Sequence, residues 1–221
     1  MRKFWGYYDN GIYRIGCNGN TVYVFDQNNE ELTKFKDIRY AYTGAFMPDK
    51  NVFAIKSTEG SLAFYDLYNL SLIKKIVITR IGAQDEGFAF SPDGKFFYNI
   101  EKPVSSCRTQ LSIYDTTDFS KVRTLFADRE DMHLTILEFN AQTEICYILG
   151  FMRKSDGVFD YGFIGVWQEE KEMISQIKQL TYEQYEYFGA YKHWELAGFT
   201  DKTFMNRSVL YRMKNIIPIS L

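Results

Sequence analysis

A short apolar run that closes on an aromatic residue and, in its clearest copies, an Asp returns along this chain. It reads Val22-Tyr23-Val24-Phe25-Asp26, then Leu62-Ala63-Phe64-Tyr65-Asp66, then Leu111-Ser112-Ile113-Tyr114-Asp115. Looser copies are Phe163-Ile164-Gly165-Val166-Trp167-Gln168 and Val209-Leu210-Tyr211-Arg212. The aromatic positions fall about 40 to 53 residues apart, the spacing of one supersecondary unit used again and again. A unit of that size cannot bury its own apolar faces, so copies must stack on one another. Repetition therefore constrains the architecture and leaves the activity open.

A second landmark runs ahead of three of these copies. Phe46-Met47-Pro48-Asp49-Lys50 and Phe90-Ser91-Pro92-Asp93-Gly94-Lys95 share a slot with Phe139-Asn140-Ala141-Gln142-Thr143. Pro presets φ and Asp or Gly supplies a tight corner, so these segments read as hairpin turns. Each unit then reads as strand A up to that turn, strand B after it, strand C carrying the aromatic-acid pair, and strand D beyond. Four antiparallel strands make one blade.

Helical periodicity is rarely sustained. The best stretch spans 169–180, where Met173, Ile174, Ile177 and Leu180 share a helical face. It occupies the slot filled by strand D in other copies, and its latter half reads as a strand.

With these turns and aromatic-acid runs, the chain resembles the WD-repeat and related bacterial β-propeller families. The resemblance implies an all-β propeller of about five four-stranded blades over residues 1–221 as a single domain, with residues 4–10 completing or clasping the last blade. An open arc of blades, or part of a larger propeller, is the alternative. No Gly-His pair precedes strand A and no Trp-Asp pair closes strand C, so the buried His-Asp network of the eukaryotic pattern is not implied. The families include scaffolds, ligand binders and enzymes, and the fold alone selects none of these.

The formal net charge is −2 and no basic run is present, which argues against nucleic acid as a partner. No apolar stretch reaches the roughly 18 residues of a membrane helix, and the N-terminus becomes polar too early for a signal peptide. A cytoplasmic protein without membrane contact is expected. Cys17, Cys107 and Cys146 are widely spaced and include no C-x-x-C pair, so reduced thiols are expected rather than disulfides or zinc. Neither of the two histidines, His133 and His193, has a second ligand at metal spacing. No metal and no cofactor is expected.

No G-x-S-x-G, H-E-x-x-H, P-loop or G-x-G-x-x-G motif occurs, and no catalytic residue is assigned. Propeller glycosidases carry carboxylates at the central mouth, so Asp9, Asp49, Asp93, Glu138 and Glu186 are the acids a hydrolase or lyase would draw on. Asp49 and Asp93 sit in turns, where Asp serves the backbone. Asp26, Asp66 and Asp115 repeat from unit to unit, which marks them as caps of the turn after strand C rather than as a site.

Function is better sought where copies differ. Two units are stretched between strands B and C, over 101–110 and 152–161. Blade-to-blade segments at 80–86 and 128–131 belong to the same face. That face makes Arg108, Arg129, Arg153, Lys154, Phe159 and Tyr161 the candidate binding residues for a protein or peptide, since aromatics and Arg dominate interface hot spots. Longer hairpins with solvated charges are the plainer alternative. A third region, with Tyr182, Tyr185, Tyr187, Tyr191 and Trp194, is expected to pack at a blade edge or to line a carbohydrate or peptide groove. The oligomeric state is not set by the sequence.

Overall fold

Each of the first four copies of the run becomes the third strand of a four-stranded antiparallel sheet whose strands follow chain order. The computed structural model describes residues 4–48, 50–79, 87–103, 108–140 and 143–190. The first sheet holds β1 (Gly6–Asp9), β2 (Tyr13–Cys17), β3 (Val22–Asp26) and β4 (Glu31–Phe35). The second holds β5 (Ala41–Phe46), β6 (Val52–Ser57), β7 (Ser61–Asp66) and β8 (Ser71–Val77). The third holds β9 (Phe88–Phe90), β10 (Phe96–Glu101), β11 (Gln110–Asp115) and β12 (Lys121–Leu125). The fourth holds β13 (Met132–Phe139), β14 (Cys146–Arg153), β15 (Phe159–Gln168) and β16 (Met173–Leu180). A helix, α1 (Tyr182–Ala190), follows. The fifth copy of the run, around Tyr211, lies outside the described residues, as do Asp49, Tyr191, Trp194 and segment 80–86.

The chain divides into two compact units, Met1–Ala127 with the first three sheets and Asp128–Leu221 with the fourth and α1. Within the first unit, strand alternation sends each central strand's side chains to two different neighbours. On β6 and β7, Phe53, Ile55, Ala63 and Tyr65 pack against Ile15, Cys17, Val22, Val24 and Phe35 of the first sheet. Their alternates Ala54, Leu62 and Phe64 pack against Phe88, Phe90, Phe97, Tyr114 and Phe119 of the third. The second sheet is thus buried on both faces, which is why its strands read as nearly continuous apolar runs. The repeated aromatic of the second sheet points back to the first: Tyr65 stacks on Phe35 with centroids 4.3 Å apart. Such a stack adds about 0.5–1.5 kcal/mol beyond the area it buries.

The repeated Asp caps the turn after strand C. Asp26 Oδ1 accepts the backbone N–H groups of Asn28 and Glu30, each at 2.8 Å. Asp66 Oδ1 accepts those of Tyr68 and Asn69 at 2.8 and 2.9 Å, and Asp115 Oδ1 that of Thr117 at 2.7 Å. Asn29, Leu70 and Phe119 in these turns take positive φ values of 64°, 51° and 53°. The strain this imposes on Phe119 is held by packing, because its ring stacks on Phe64 at 3.9 Å.

The last strand of each sheet is an edge, where unpaired backbone invites association and Lys is a common guard. On β8, Lys74 and Lys75 do more than repel. Lys74 Nζ donates to the Asp118 carbonyl at 2.8 Å, and Lys75 Nζ donates to the Asp37 carbonyl. The edge is thereby tied to a turn of the third sheet and to the segment leading from the first.

Two elements differ from the sequence reading. Residues 4–10 do not complete the last blade: β1 is strand A of the first sheet, with Gly6 opposite Cys17 and Asp9 opposite Arg14. The short Asn10-Gly11 corner closes that hairpin at little entropic cost, with Gly11 at φ +83° and Asn10 Oδ1 accepting the N–H of Tyr13 at 2.8 Å. After Leu180 the chain forms α1, a helix that the sequence reading did not place. Thr181 starts it: the Thr181 N–H donates to Gln184 Oε1 at 2.9 Å and Thr181 Oγ1 accepts the Gln184 N–H at 3.3 Å, a reciprocal capping box. The stretch over 169–180 behaves as read, a single 3-10 turn followed by strand β16.

Candidate functional site

In the fourth sheet the two central strands outgrow their counterparts. β14 has 8 residues and β15 has 10, against 6 each in β10 and β11 of the third sheet. Half of the stretched segment 152–161 is therefore strand, residues 152–153 and 159–161, and the connection shrinks to a turn over 154–158. Lys154 N donates to the Val158 carbonyl and Gly157 N to the Lys154 carbonyl, both at 2.9 Å. Asp156 Oδ1 accepts the Val158 N–H at 3.0 Å, and Gly157 takes φ +82° with open space around it. This tight tip holds Lys154 exposed and leaves Val158 56% exposed.

Arg153 is the last residue of β14 and stands opposite Phe159. Its N–H donates to the Asp131 carbonyl at 2.7 Å, joining the hairpin to the entry of β13. Arg129 closes on Asp131 with two bonds, Nε to Oδ1 at 2.6 Å and Nη2 to Oδ2 at 2.8 Å. That guanidinium holds the Asp131 carboxyl below the ordinary carboxylate range. The Arg153 guanidinium lies 5.2 Å from the Phe151 ring centroid, and its Nη2 is 3.1 Å from His133 Nδ1.

The aromatic residues of the hairpin meet α1. Phe159 is half-buried, with ring centroids 5.5 Å from Phe151, 5.2 Å from Tyr182 and 5.8 Å from Tyr185. Tyr185 is buried, its hydroxyl 2.7 Å from Thr135 Oγ1, while Tyr182 is 54% exposed. Gly162 lets the helix approach, because a Cβ there would come within 2.8 Å of Tyr185 Cβ. Tyr161 is half-buried, and its hydroxyl donates to Gln176 Oε1 at 3.4 Å.

The structure thus gathers Arg153, Lys154, Phe159 and Tyr161 on one hairpin, with Arg129 joined through Asp131. Arg108 belongs to the first unit, half-buried at the entry to β11. The residues that sequence reading passed over are His133, Phe151 and Val158, which complete this end of the sheet. His133 and Arg153 are 20 positions apart, and only the β13–β14 pairing brings them together.

A second polar constellation lies in the third sheet. Glu101 ends β10 and is 1% exposed. Its Oε1 accepts Tyr114 OH and Asn99 Nδ2, and its Oε2 accepts Ser112 Oγ at 2.7 Å, Gln110 Nε2 at 3.2 Å and Lys121 Nζ at 2.8 Å. Burial pushes the Glu101 carboxyl up, but Lys121 and these hydrogen bonds outweigh it and hold it below its usual range. The Tyr114 hydroxyl is pushed well up by burial and by the neighbouring carboxylate. Five donors leave this carboxylate little capacity to accept a proton from a substrate, so it serves as a tie between three strands.

Two of the acids weighed for catalysis, Asp93 and Asp9, have local tasks. Asp93 accepts Ser91 Oγ at 2.7 Å and the Lys95 N–H at 3.1 Å, which with the Lys95 ammonium pull its carboxyl to about 2. Asp9 accepts the Gly11 N–H and pairs with Arg14 at 2.8 Å. Glu186 is exposed on α1 and Glu138 lies in β13. Among the described residues, no three His, Cys, Asp or Glu side chains converge as metal ligands. Nor is any helix among them long and apolar enough to cross a membrane.

Four-stranded antiparallel sheets in chain order, stacked face to face in the first unit, define an all-β protein of β-propeller-like fold. No family model and no curated protein matches the sequence. Among solved structures, the chain is similar to Kuenenia stuttgartiensis hydrazine synthase, with a TM-score of 0.60 and 15% identity over 76% of this chain and 51% of that one. The chain thus spans about half the length of that structure, and the likeness is one of fold. As many as 960 solved chains share such a likeness, a breadth that carries no single activity.

Proposed function

We propose that this chain is a non-enzymatic β-propeller that binds a protein or peptide through the hairpin end of its fourth sheet. The observation that carries the reading is the overgrowth of β14 and β15, which places exposed Val158, Lys154 and Tyr182 beside half-buried Phe159 and Arg153. Aromatic anchors with an Arg and a polar surround are the composition of interface hot spots. Glu101, Asp9 and Asp93 each hold hydrogen bonds within the fold, which supports a binding role over a hydrolase or lyase drawing on them. WD-repeat-like kinship, a count of about five blades and a cytoplasmic setting with reduced thiols belong to the same proposal.

The test is selection from a displayed peptide library on the full chain, followed by affinity measurement with Lys154→Glu, Val158→Asp and Tyr182→Ala. Selected peptides are expected to lose about tenfold or more in affinity for at least one variant, the loss of a 1.4 kcal/mol contact. Unchanged affinity for all three folded variants would contradict the reading.

A further inference from the structure

We propose that Asn10-Gly11, in the turn from β1 to β2, is a self-modification site. The Asn10 side chain closes on the Gly11 backbone nitrogen, loses ammonia and opens to isoaspartate, which loosens β1 from the first sheet.

An Asn followed by Gly is the pair most open to this chemistry, because Gly has no Cβ to hinder approach to its own nitrogen. The chain holds two such pairs, Asn10-Gly11 and Asn18-Gly19. They present the same reacting atoms at opposite ends of β2, so their surroundings decide between them.

Asn10 and Gly11 are both exposed, and a Cβ built on Gly11, at φ +83°, would have nothing within 4 Å. The Asn10 side-chain oxygen accepts two backbone donors, the Ile12 N–H at 3.0 Å and the Tyr13 N–H at 2.8 Å. The carbonyl under attack becomes an oxyanion, and donors already aimed at that oxygen favour the charge as it forms. The nucleophile, Gly11 N, donates to Asp9 Oδ1 at 2.8 Å. Arg14 Nε holds the other Asp9 oxygen at 2.8 Å, so an ionised carboxylate stands beside the proton that must leave.

The second pair is held differently. Gly19 is buried and bridged to Ala41 of the second sheet, its carbonyl accepting the Ala41 N–H at 2.9 Å. Asn18 is half-buried, and its Oδ1 accepts the N–H of Thr21, 7% exposed, at 3.0 Å. Closure there has to pull Gly19 away from the second sheet.

Atoms balance without any co-reactant other than water. The bond from Gly11 N to Asn10 Cγ forms and the Cγ–Nδ2 bond breaks. The Gly11 proton passes by way of the Asp9 carboxylate to Nδ2, which leaves as ammonia. Water then opens the ring: attack at the main-chain carbonyl leaves isoaspartate, and attack at Cγ leaves aspartate. Isoaspartate puts an extra methylene into the main chain of the turn and takes away the side-chain oxygen that capped Ile12 and Tyr13. Turn length sets hairpin register, here Gly6 opposite Cys17 and Asp9 opposite Arg14. β2 is the one strand that pairs with β1 in the sheet, so a lengthened turn weakens the hold on all of β1.

The test ages the folded full chain in mildly alkaline buffer and, in parallel, the same chain in denaturant. Peptide mapping by mass spectrometry and labelling with an isoaspartyl methyltransferase read both sites. Asn10 is expected to convert several-fold faster than Asn18 in the folded chain, and the two at similar rates in denaturant. Hydrogen exchange in residues 6–9 is expected to rise several-fold in the aged folded chain and to stay slow in Asn10→Gln aged alongside. Conversion of Asn18 as fast as Asn10 in the folded chain, or a folded Asn10 that stays intact while the denatured one converts, would overturn the site. Conversion with unchanged exchange in 6–9 would overturn the loosening of β1. The rate comparison uses the wild type alone, so it decides even where the variant does not fold.

Discussion

Lys121 reaches inward from an edge strand to Glu101, with its Nζ 2.8 Å from Oε2 and its ammonium over the Tyr114 ring at 5.4 Å. The two partners differ in setting, Lys121 side chain 37% exposed and Glu101 1%. Removing the carboxylate strands several buried donors, whereas removing the ammonium leaves a carboxylate still satisfied by four. Glu101→Ala is expected to cost about 3–5 kcal/mol, the penalty for breaking a buried charged network. Lys121→Met is expected to cost only about 1 kcal/mol. Urea unfolding of both variants checks this order.

Acid sensitivity follows from the same group. The folded Glu101 carboxyl titrates below its unfolded value, so its contribution is fully present above roughly pH 4.3 and is lost as pH falls through the folded value. Glu101→Gln is expected to flatten the acid limb of the stability profile below that pH while lowering stability at pH 7. A profile parallel to the wild type's would show that other carboxylates set the limb.

Gly162 is the position that lets α1 seat on the fourth sheet. A side chain there meets Tyr185 Cβ at 2.8 Å and Leu180 Cβ at 3.2 Å. Gly162→Val is expected to displace the helix at a cost of about 1–3 kcal/mol, typical of overpacking. Amide exchange should accelerate in 182–190 while β14 and β15 stay protected.

The cysteines offer a check on burial. Burial pushes the Cys17 thiol up to about 12 and the Cys146 thiol well above its usual value. Neither supplies thiolate at pH 8 in the folded state. In a Cys107→Ser background, a disulfide reagent is expected to label no thiol in native buffer and two in denaturant.

Much of the fold is legible from the aromatic-acid run, because strand alternation and turn chemistry are local. Asp66 had to cap something, and the neighbouring N–H groups are within two or three residues. Tyr65 and Phe64 had to face opposite ways, so two neighbours were required. What was not legible depends on context. Tyr182 and Tyr185 favour strands by composition, yet the capping box at Thr181 and the space above Gly162 make a helix. Glu101 looked like the start of a loop, and only the register placing it opposite Gln110 and near Lys121 shows it as a buried tie. Phe159 and Tyr161 were legible as aromatics on a stretched segment, but their half-burial beneath α1 and beside β16 was not. The exposed part of the face falls instead to Lys154, Val158 and Tyr182.

The binding role of the hairpin end is tested most directly by titrating a library-selected peptide into the isotope-labelled full chain and mapping amide shifts. Perturbations are expected to concentrate in 153–161 and 182–186 and to vanish with Val158→Asp. Shifts confined to the first unit, or unchanged by that substitution, would contradict it.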